Sequence, residues 1–177
     1  MISFEFDNIK KGNIELYEQL FKHYYKPLIF FSFRYVRNEQ IAEDVVHDVF
    51  VNIWNNRANL DFTLNFRSYL YTSVRNQSLK YLAKANRFNQ VDTDIEVVLS
   101  KNDSPDTIII KNELEKAISK AISKLPEKRK EIFCMHRFDN LTYSEIALTL
   151  NISIKTVETQ MSRALKFLRE NLSSLLK

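Results

Sequence analysis

TYSEIALTLNISIKTVETQMSRALKFL, residues 142–168, sets two short helical patterns on either side of a three-residue turn. Thr142 and Glu145 have the T-x-x-E spacing of a capping box, in which the hydroxyl accepts from the N–H three residues on and the carboxylate reaches back. This predicts a helix from about Tyr143 with Ile146, Ala147 and Leu150 facing inward. The small Ala147 allows a second helix to cross closely at a steep angle. The turn is Asn151-Ile152-Ser153. Asn tolerates the left-handed conformation in which helices commonly end, and Ser is a favoured N-cap for the next helix.

The second helix divides by face, with Val157, Met161, Ala164, Leu165 and Leu168 at core spacing. Its other side carries Lys155, Thr156, Thr159, Gln160 and Arg163, led by Ser153 at the helix start. In a major groove such side chains reach phosphates and base edges, and one good bidentate base contact is worth roughly 1–3 kcal/mol of discrimination. An ordinary helical hairpin with a solvated polar face would have the same alternation. The helix-turn-helix spacing favours nucleic-acid binding without fixing the role.

Composition bounds that role. The chain has 177 residues, 45% of them hydrophobic, and a single Gly with three Pro argues against a turn-rich β architecture. A net charge of +4 with a pI near 9.1 permits polyanion binding. Its distribution says more: no acidic residue lies between Asp61 and Asp92, a window that contains Arg67, Arg75, Lys80, Lys84 and Arg87. This marks a second candidate DNA contact. The lone Cys134 excludes an internal disulfide. With no signal peptide and no long apolar run, a cytoplasmic protein without membrane insertion is expected. The apolar residues 28–36 are interrupted by Arg34 and fall well short of a bilayer, so they read as a core helix.

Four helical patterns occupy the first half, at about 13–24, 26–37, 39–56 and 66–86, where Pro27 either opens the second helix or kinks a longer one. From 87 to about 112 periodicity fades, and Asp92, Asp94, Glu96, Asp103 and Asp106 make the stretch acidic. Helical pattern resumes through Leu114, Ala117, Ile118, Ala121, Ile122 and Leu125, and restarts at Pro126. The expected fold class is all-α: two small helical domains, 1–86 and 113–177, joined by a flexible linker at 87–112, the second ending in the helix-turn-helix.

These residues together resemble a two-domain ECF (extracytoplasmic function) sigma factor of the sigma-70 family. Ala42-Glu43-Asp44-Val45-Val46-His47-Asp48-Val49-Phe50 through Trp54 is similar to the family's polymerase-binding helix, with His47 where Gln is usual. Tyr69-Leu70-Tyr71 followed by Arg75-Asn76 resembles the helix that engages the minus-10 element. Leu125-Pro126-Glu127 with Leu141 to Ala147 resembles the start of the minus-35-reading domain. The departures are Lys80 where Asp is frequent, Ala83 where Arg is frequent and Asn151 where Gly is frequent.

The resemblance implies three partners: core RNA polymerase, promoter DNA and an anti-sigma factor covering the polymerase-binding surfaces. It makes Asp44 and Asp48 the candidate polymerase contacts, outward carboxylates one turn apart on a helix whose Ile41, Val45, Val49 and Ile53 pack inward. Minus-35 contact then falls to Ser153, Lys155, Thr156, Thr159, Gln160 and Arg163. Minus-10 contact falls to Asn59, Phe62, Tyr69, Arg75, Asn76, Lys80 and Lys84, a mixture of rings and cations suited to an opened strand. Leu70, Val74 and Tyr81 share one helical face, so some rings of this window belong to the core. Two other classes compete: a conventional dimeric helix-turn-helix regulator, and a small helical enzyme or metal protein using Cys134, His136, His23 and His47. Cys134 and His136 fall on different sides of a helix with no ligand cluster at metal spacing, so no catalytic residue, metal or cofactor is expected.

Overall fold

A computed structural model of the chain describes residues 6–60, 65–86 and 108–173, with backbone alone at Asn86 and 108–115. The described residues form helices and turns with no strand, and the chain divides into two compact units, Met1–Asp92 and Thr93–Lys177.

In the first unit the helices are α1 (Phe6–Lys10), α2 (Ile14–Val36), α3 (Glu39–Asn56) and α4 (Phe66–Asn86), with a 3-10 turn at Arg57–Asn59 after α3. The two patterns expected at 13–24 and 26–37 are one helix, with Pro27 on its exposed side. Tyr17, Leu20, Leu28, Phe31 and Tyr35 are all buried. At about 100° per residue they keep one stripe about 80° wide across the proline, so packing of both halves on α3 and α4 outweighs the lost backbone bond. Asn13 and Asn38 cap α2 and α3, each side-chain oxygen accepting from the N–H three residues on at 3.0 Å.

Val45, Val46, Val49, Phe50 and Ile53 of α3 and Leu70, Tyr71 and Val74 of α4 complete this core, while Ile41 is half-buried. Phe31 meets Tyr71 edge-on at 4.9 Å between ring centroids. Where α2 and α4 cross, buried Ser32 and Ser78 are small enough for close approach and bond through their hydroxyls at 2.9 Å. Tyr81, expected to share the Leu70 and Val74 face, is exposed near the end of α4. Helix α1, unmarked in the sequence, is only five residues long. Such a segment is too short to show periodicity or to persist alone; fully buried Ile9 anchors it.

The second unit contains α5 (Ile108–Ser123), α6 (Glu127–Arg137), α7 (Tyr143–Leu150) and α8 (Ile154–Leu172). Helix α5 starts at Ile108, earlier than the expected linker end at 112; the rest of the linker, 87–107, lies outside the described residues. Ala121, Ile122, Leu125, Ile132, Phe133, Met135, Leu141, Ile146, Val157, Met161, Ala164 and Leu168 are buried. Leu165, expected in this core, is 50% exposed. Its direction lies about 70° from the middle of the stripe formed by Val157, Met161, Ala164 and Leu168, beyond the edge of that stripe. No helix among the described residues is long and apolar enough to cross a membrane.

The Tyr17 hydroxyl donates to the Phe50 carbonyl, tying α2 to α3. Burial holds its pKa far above the ordinary phenol value of about 10. Tyr17→Phe should cost about 1 kcal/mol at pH 7, measured by chemical denaturation. A raised folded-state pKa means that the unfolded chain releases this proton first, so its contribution is complete below about pH 10 and falls above it. The variant should therefore lose stability less steeply between about pH 10 and 12 than the parent.

Candidate nucleic-acid interfaces

The turn that presents α8 is closed by side chains. Thr142 and Glu145 form the full capping box, with Glu145 N–H to the Thr142 hydroxyl at 3.2 Å and Thr142 N–H to the Glu145 carboxylate at 2.7 Å. Asn151 ends α7 at φ 52°, and the Ile152 N–H returns to the Ala147 carbonyl at 3.0 Å. The Ser153 hydroxyl accepts from the Thr156 N–H at 3.1 Å and lies 2.8 Å from the Thr156 hydroxyl, so both residues are engaged in the cap as well as exposed.

Lys155, Thr156, Thr159 and Arg163 are exposed and fall within about 100° of one another around α8, opposite the buried Val157, Met161, Ala164 and Leu168. Thr159 donates to the Lys155 carbonyl at 2.8 Å, one turn back along the same face. Gln160 sits at the edge of this face, half-buried, its amide oxygen accepting from Arg129 Nε of α6 at 3.3 Å. That bond leaves the Gln160 amide N–H groups to point away from Arg129. Two cations absent from the expected set belong to the surroundings, Arg129 and Lys166. Lys166 is exposed three residues after Arg163, a spacing visible in the sequence. Arg129 is distant in the chain, and nothing in the sequence pointed to it.

On α4, Tyr69, Asn76, Lys80 and Lys84 are exposed and lie within about 80° of one another. Arg75 is not on this face: it is half-buried and about 120° from Tyr69. Tyr69, 41% exposed, stacks on Phe66 at 6.4 Å and 28° between ring planes. Asn59 is exposed in the 3-10 turn, and Phe62 lies outside the described residues. Phe66 and Tyr71 are core rings, buried and unavailable for stacking on bases. The strip therefore combines one open ring, one amide and two lysines, groups that suit a single strand better than the edges of a closed duplex.

Asp44 and Asp48 are exposed one turn apart on α3. Among the described residues their side chains make long contacts, at 3.5 Å, to the amides of Gln40 and Gln77 respectively. Beside them Val51 is 58% exposed, and the exposed His47 ring stacks on Tyr25 of α2 at 5.4 Å and 25°. Partial burial and the Glu43 carboxylate raise the Tyr25 pKa above the ordinary phenol value. The ridge thus joins carboxylates to apolar and aromatic surface, a composition suited to a basic protein partner.

The residues named for the enzyme class are placed apart in role. Cys134 is buried, while His136 is exposed with Nδ1 3.0 Å from the Leu141 carbonyl and its ring edge-on to Tyr143. Among the described residues no group of three or more His, Cys, Asp or Glu is placed to hold a metal.

Comparison with known proteins matches residues 20–88 to a model of the Sigma-70 region 2 family and residues 115–168 to one of the Sigma-70, region 4 family. The chain is 24% identical to the ECF RNA polymerase sigma factor SigW of Bacillus subtilis (strain 168), an alignment covering 99% of this chain and 98% of the relative. Its fold is similar to CnrH, solved in complex with the cytosolic domain of CnrY, at TM-score 0.65 and 21% identity over 96% of this chain and 95% of the other. It is also similar to RpoE of Bartonella quintana, solved with the anti-sigma factor NepR, at TM-score 0.66 and 21% identity over 88% and 96%.

The left-handed turn residue gives a direct test of how α8 is presented. Asn151→Val should lower stability by about 1–2 kcal/mol and weaken duplex binding without changing which sequences are preferred. Asn151→Gly should retain both stability and binding. Thermal melts and binding titrations on a promoter duplex separate the two.

Proposed function

The chain belongs to the sigma-70 family as an RNA polymerase sigma factor of the ECF type, and from that premise we propose how its residues divide the work of initiation. The protein binds core RNA polymerase and directs promoter-specific transcription initiation. The proposed contribution of its own side chains is binding, positioning and strand capture, with bond formation left to the polymerase.

Residues 1–86 would hold core polymerase and the minus-10 element, residues 113–177 the minus-35 element, and the acidic 87–112 the path between them. On α3, Asp44 and Asp48 meet a basic polymerase surface, with Val51 and the Tyr25 and His47 rings adding apolar area. On α8, Lys155 and Arg163 supply charge while Ser153, Thr156, Thr159 and Gln160 supply hydrogen bonds to duplex minus-35 DNA. On α4 and the turn before it, Asn59, Tyr69, Asn76, Lys80 and Lys84 hold the opened minus-10 strand, with Phe62 as a further member, while Arg75, turned off this face, is left out of the set. A base flipped out of the stack costs a few kcal/mol, which ring stacking at roughly 1–3 kcal/mol per base offsets. The observation that carries this division is the placement of the exposed faces of α4 and α8 within the region 2 and region 4 matches respectively.

CnrH and RpoE were each solved with a bound partner, CnrY and the anti-sigma factor NepR. By analogy, an anti-sigma factor covers the polymerase-binding ridge of this chain until a signal releases it. From its proposed action on promoter DNA we infer a cytoplasmic location for the protein.

Multi-round transcription with purified core polymerase and a pool of genomic promoter fragments from the source bacterium should yield specific new transcripts. If no fragment is transcribed and core polymerase does not bind, while the protein alone selects duplex DNA, a conventional regulator replaces this reading. Within a working holoenzyme, Asp44→Lys with Asp48→Lys should lower core affinity at least about tenfold, as expected from reversing charge across an interface, and leave minus-35 duplex affinity unchanged. Lys155→Ala should weaken all duplexes alike and reduce the slope of log affinity against log salt by about 0.9.

A further inference from the structure

Helix α1 and the glycine after it precede the region 2 match, which begins at residue 20, so that match assigns them no role. Yet α1 touches both described ends of the connection between α3 and α4. At one end it packs on the 3-10 turn Arg57–Asn59. Gly12, at φ +94°, a conformation that favours glycine, turns the chain past Arg57, where a Cβ would make ordinary van der Waals contact with Nη2 at 3.6 Å. Arg57 is itself fixed, its guanidinium 4.2 Å above the Trp54 ring and its Nη1 donating to the Trp54 carbonyl at 2.8 Å. At the other end the Phe6 ring lies 5.0 Å from Phe66, the first residue of α4. Phe66 then supports Tyr69 at 6.4 Å and meets Tyr24 of α2 edge-on at 6.4 Å.

We propose that α1 is a brace for minus-10 recognition, with Phe6 and Arg57 as positioning residues that set Asn59 and Tyr69 at the two ends of one connection without touching DNA. This rests on the assignment of those two residues to the minus-10 strand. A five-residue helix has no stability of its own, so α1 exists only while Ile9 and Phe6 are docked. The same docking holds the Phe66 ring under Tyr69 and the 3-10 turn against α3. A 3-10 turn has poorer hydrogen-bond geometry than an α-helix and profits more from such external support. Docked α1 therefore orders the reading groups during folding, and strand capture does not have to order them.

The test uses holoenzyme assembled on core polymerase. Its probe is the non-template strand across minus 10 of a promoter that this holoenzyme transcribes, with 2-aminopurine at the position of the flipped base. Phe6→Ala should lower strand affinity about five- to tenfold and reduce the stacking-dependent fluorescence change, the loss expected when two reading side chains must be ordered on binding. Core affinity and minus-35 duplex affinity should stay within about twofold, since neither surface includes α1. Phe6→Leu keeps the apolar bulk but removes the ring contact, should lose about two- to threefold, and stands in if the alanine variant does not fold. Tyr69→Ala and Lys80→Ala are the reference variants. If these two weaken strand binding while the Phe6 variants do not, the brace is overturned and the minus-10 assignment stands. If none of the four weakens it, the minus-10 assignment fails and the brace with it. Equal losses of strand, core and duplex affinity in the Phe6 variants would reduce α1 to a general stabilising element and overturn the proposal.

Discussion

Every α-helix leaves up to four N–H groups and four carbonyls unpaired at its ends, and this chain must close its helices with a single glycine. Asn and Ser or Thr take over. Asn13, Asn38, Thr142 and Ser153 cap the starts of α2, α3, α7 and α8 with side-chain oxygens. Asn65, Asn140 and Asn151, together with Arg37, adopt positive φ where glycine would be the ordinary choice. The only glycine, Gly12, is spent at φ +94°, where the chain turns between α1 and α2 beside Arg57. The four caps set where α2, α3, α7 and α8 begin, and therefore the rotational phase of the side chains along them.

Function follows from that phase. Because Ser153 starts α8 and Val157, Met161, Ala164 and Leu168 bury, Lys155, Thr159 and Arg163 must face solvent together. Because Leu70, Tyr71 and Val74 bury, Tyr69, Asn76, Lys80 and Lys84 are gathered on the free side of α4. The same rule withdraws Arg75 from that strip and brings Leu165 out of the core. Charge is sorted by the same geometry, with carboxylates and aromatic surface on α3 and cations on α4 and α8. An acidic ridge and basic strips repel each other's partners, which on the proposed division would help to keep polymerase and DNA on separate surfaces.

Much of this was legible in the chain itself. The capping box, the left-handed Asn151 and the Ser153 cap were readable because each depends on residues at most five apart, and local hydrogen bonds need no tertiary information. The α8 face was readable because a long regular helix makes phase predictable from spacing. Where tertiary packing competes with a local preference, the sequence was ambiguous. Pro27 permitted a break, and only the continuity of Tyr17, Leu20, Leu28, Phe31 and Tyr35 against α3 and α4 decided for one helix.

The sequence by itself therefore determined the helical class, the turn before α8 and the residue types available for polymerase and DNA, since composition and short-range spacing suffice for these. Tertiary structure alone decided which of those residues stand together. The link from Gln160 to Arg129 joins positions 31 residues apart, and the Phe6 to Phe66 contact spans a still longer stretch of chain. No local periodicity encodes such contacts, because they arise only when separate helices bury their apolar faces against one another and carry their polar edges with them.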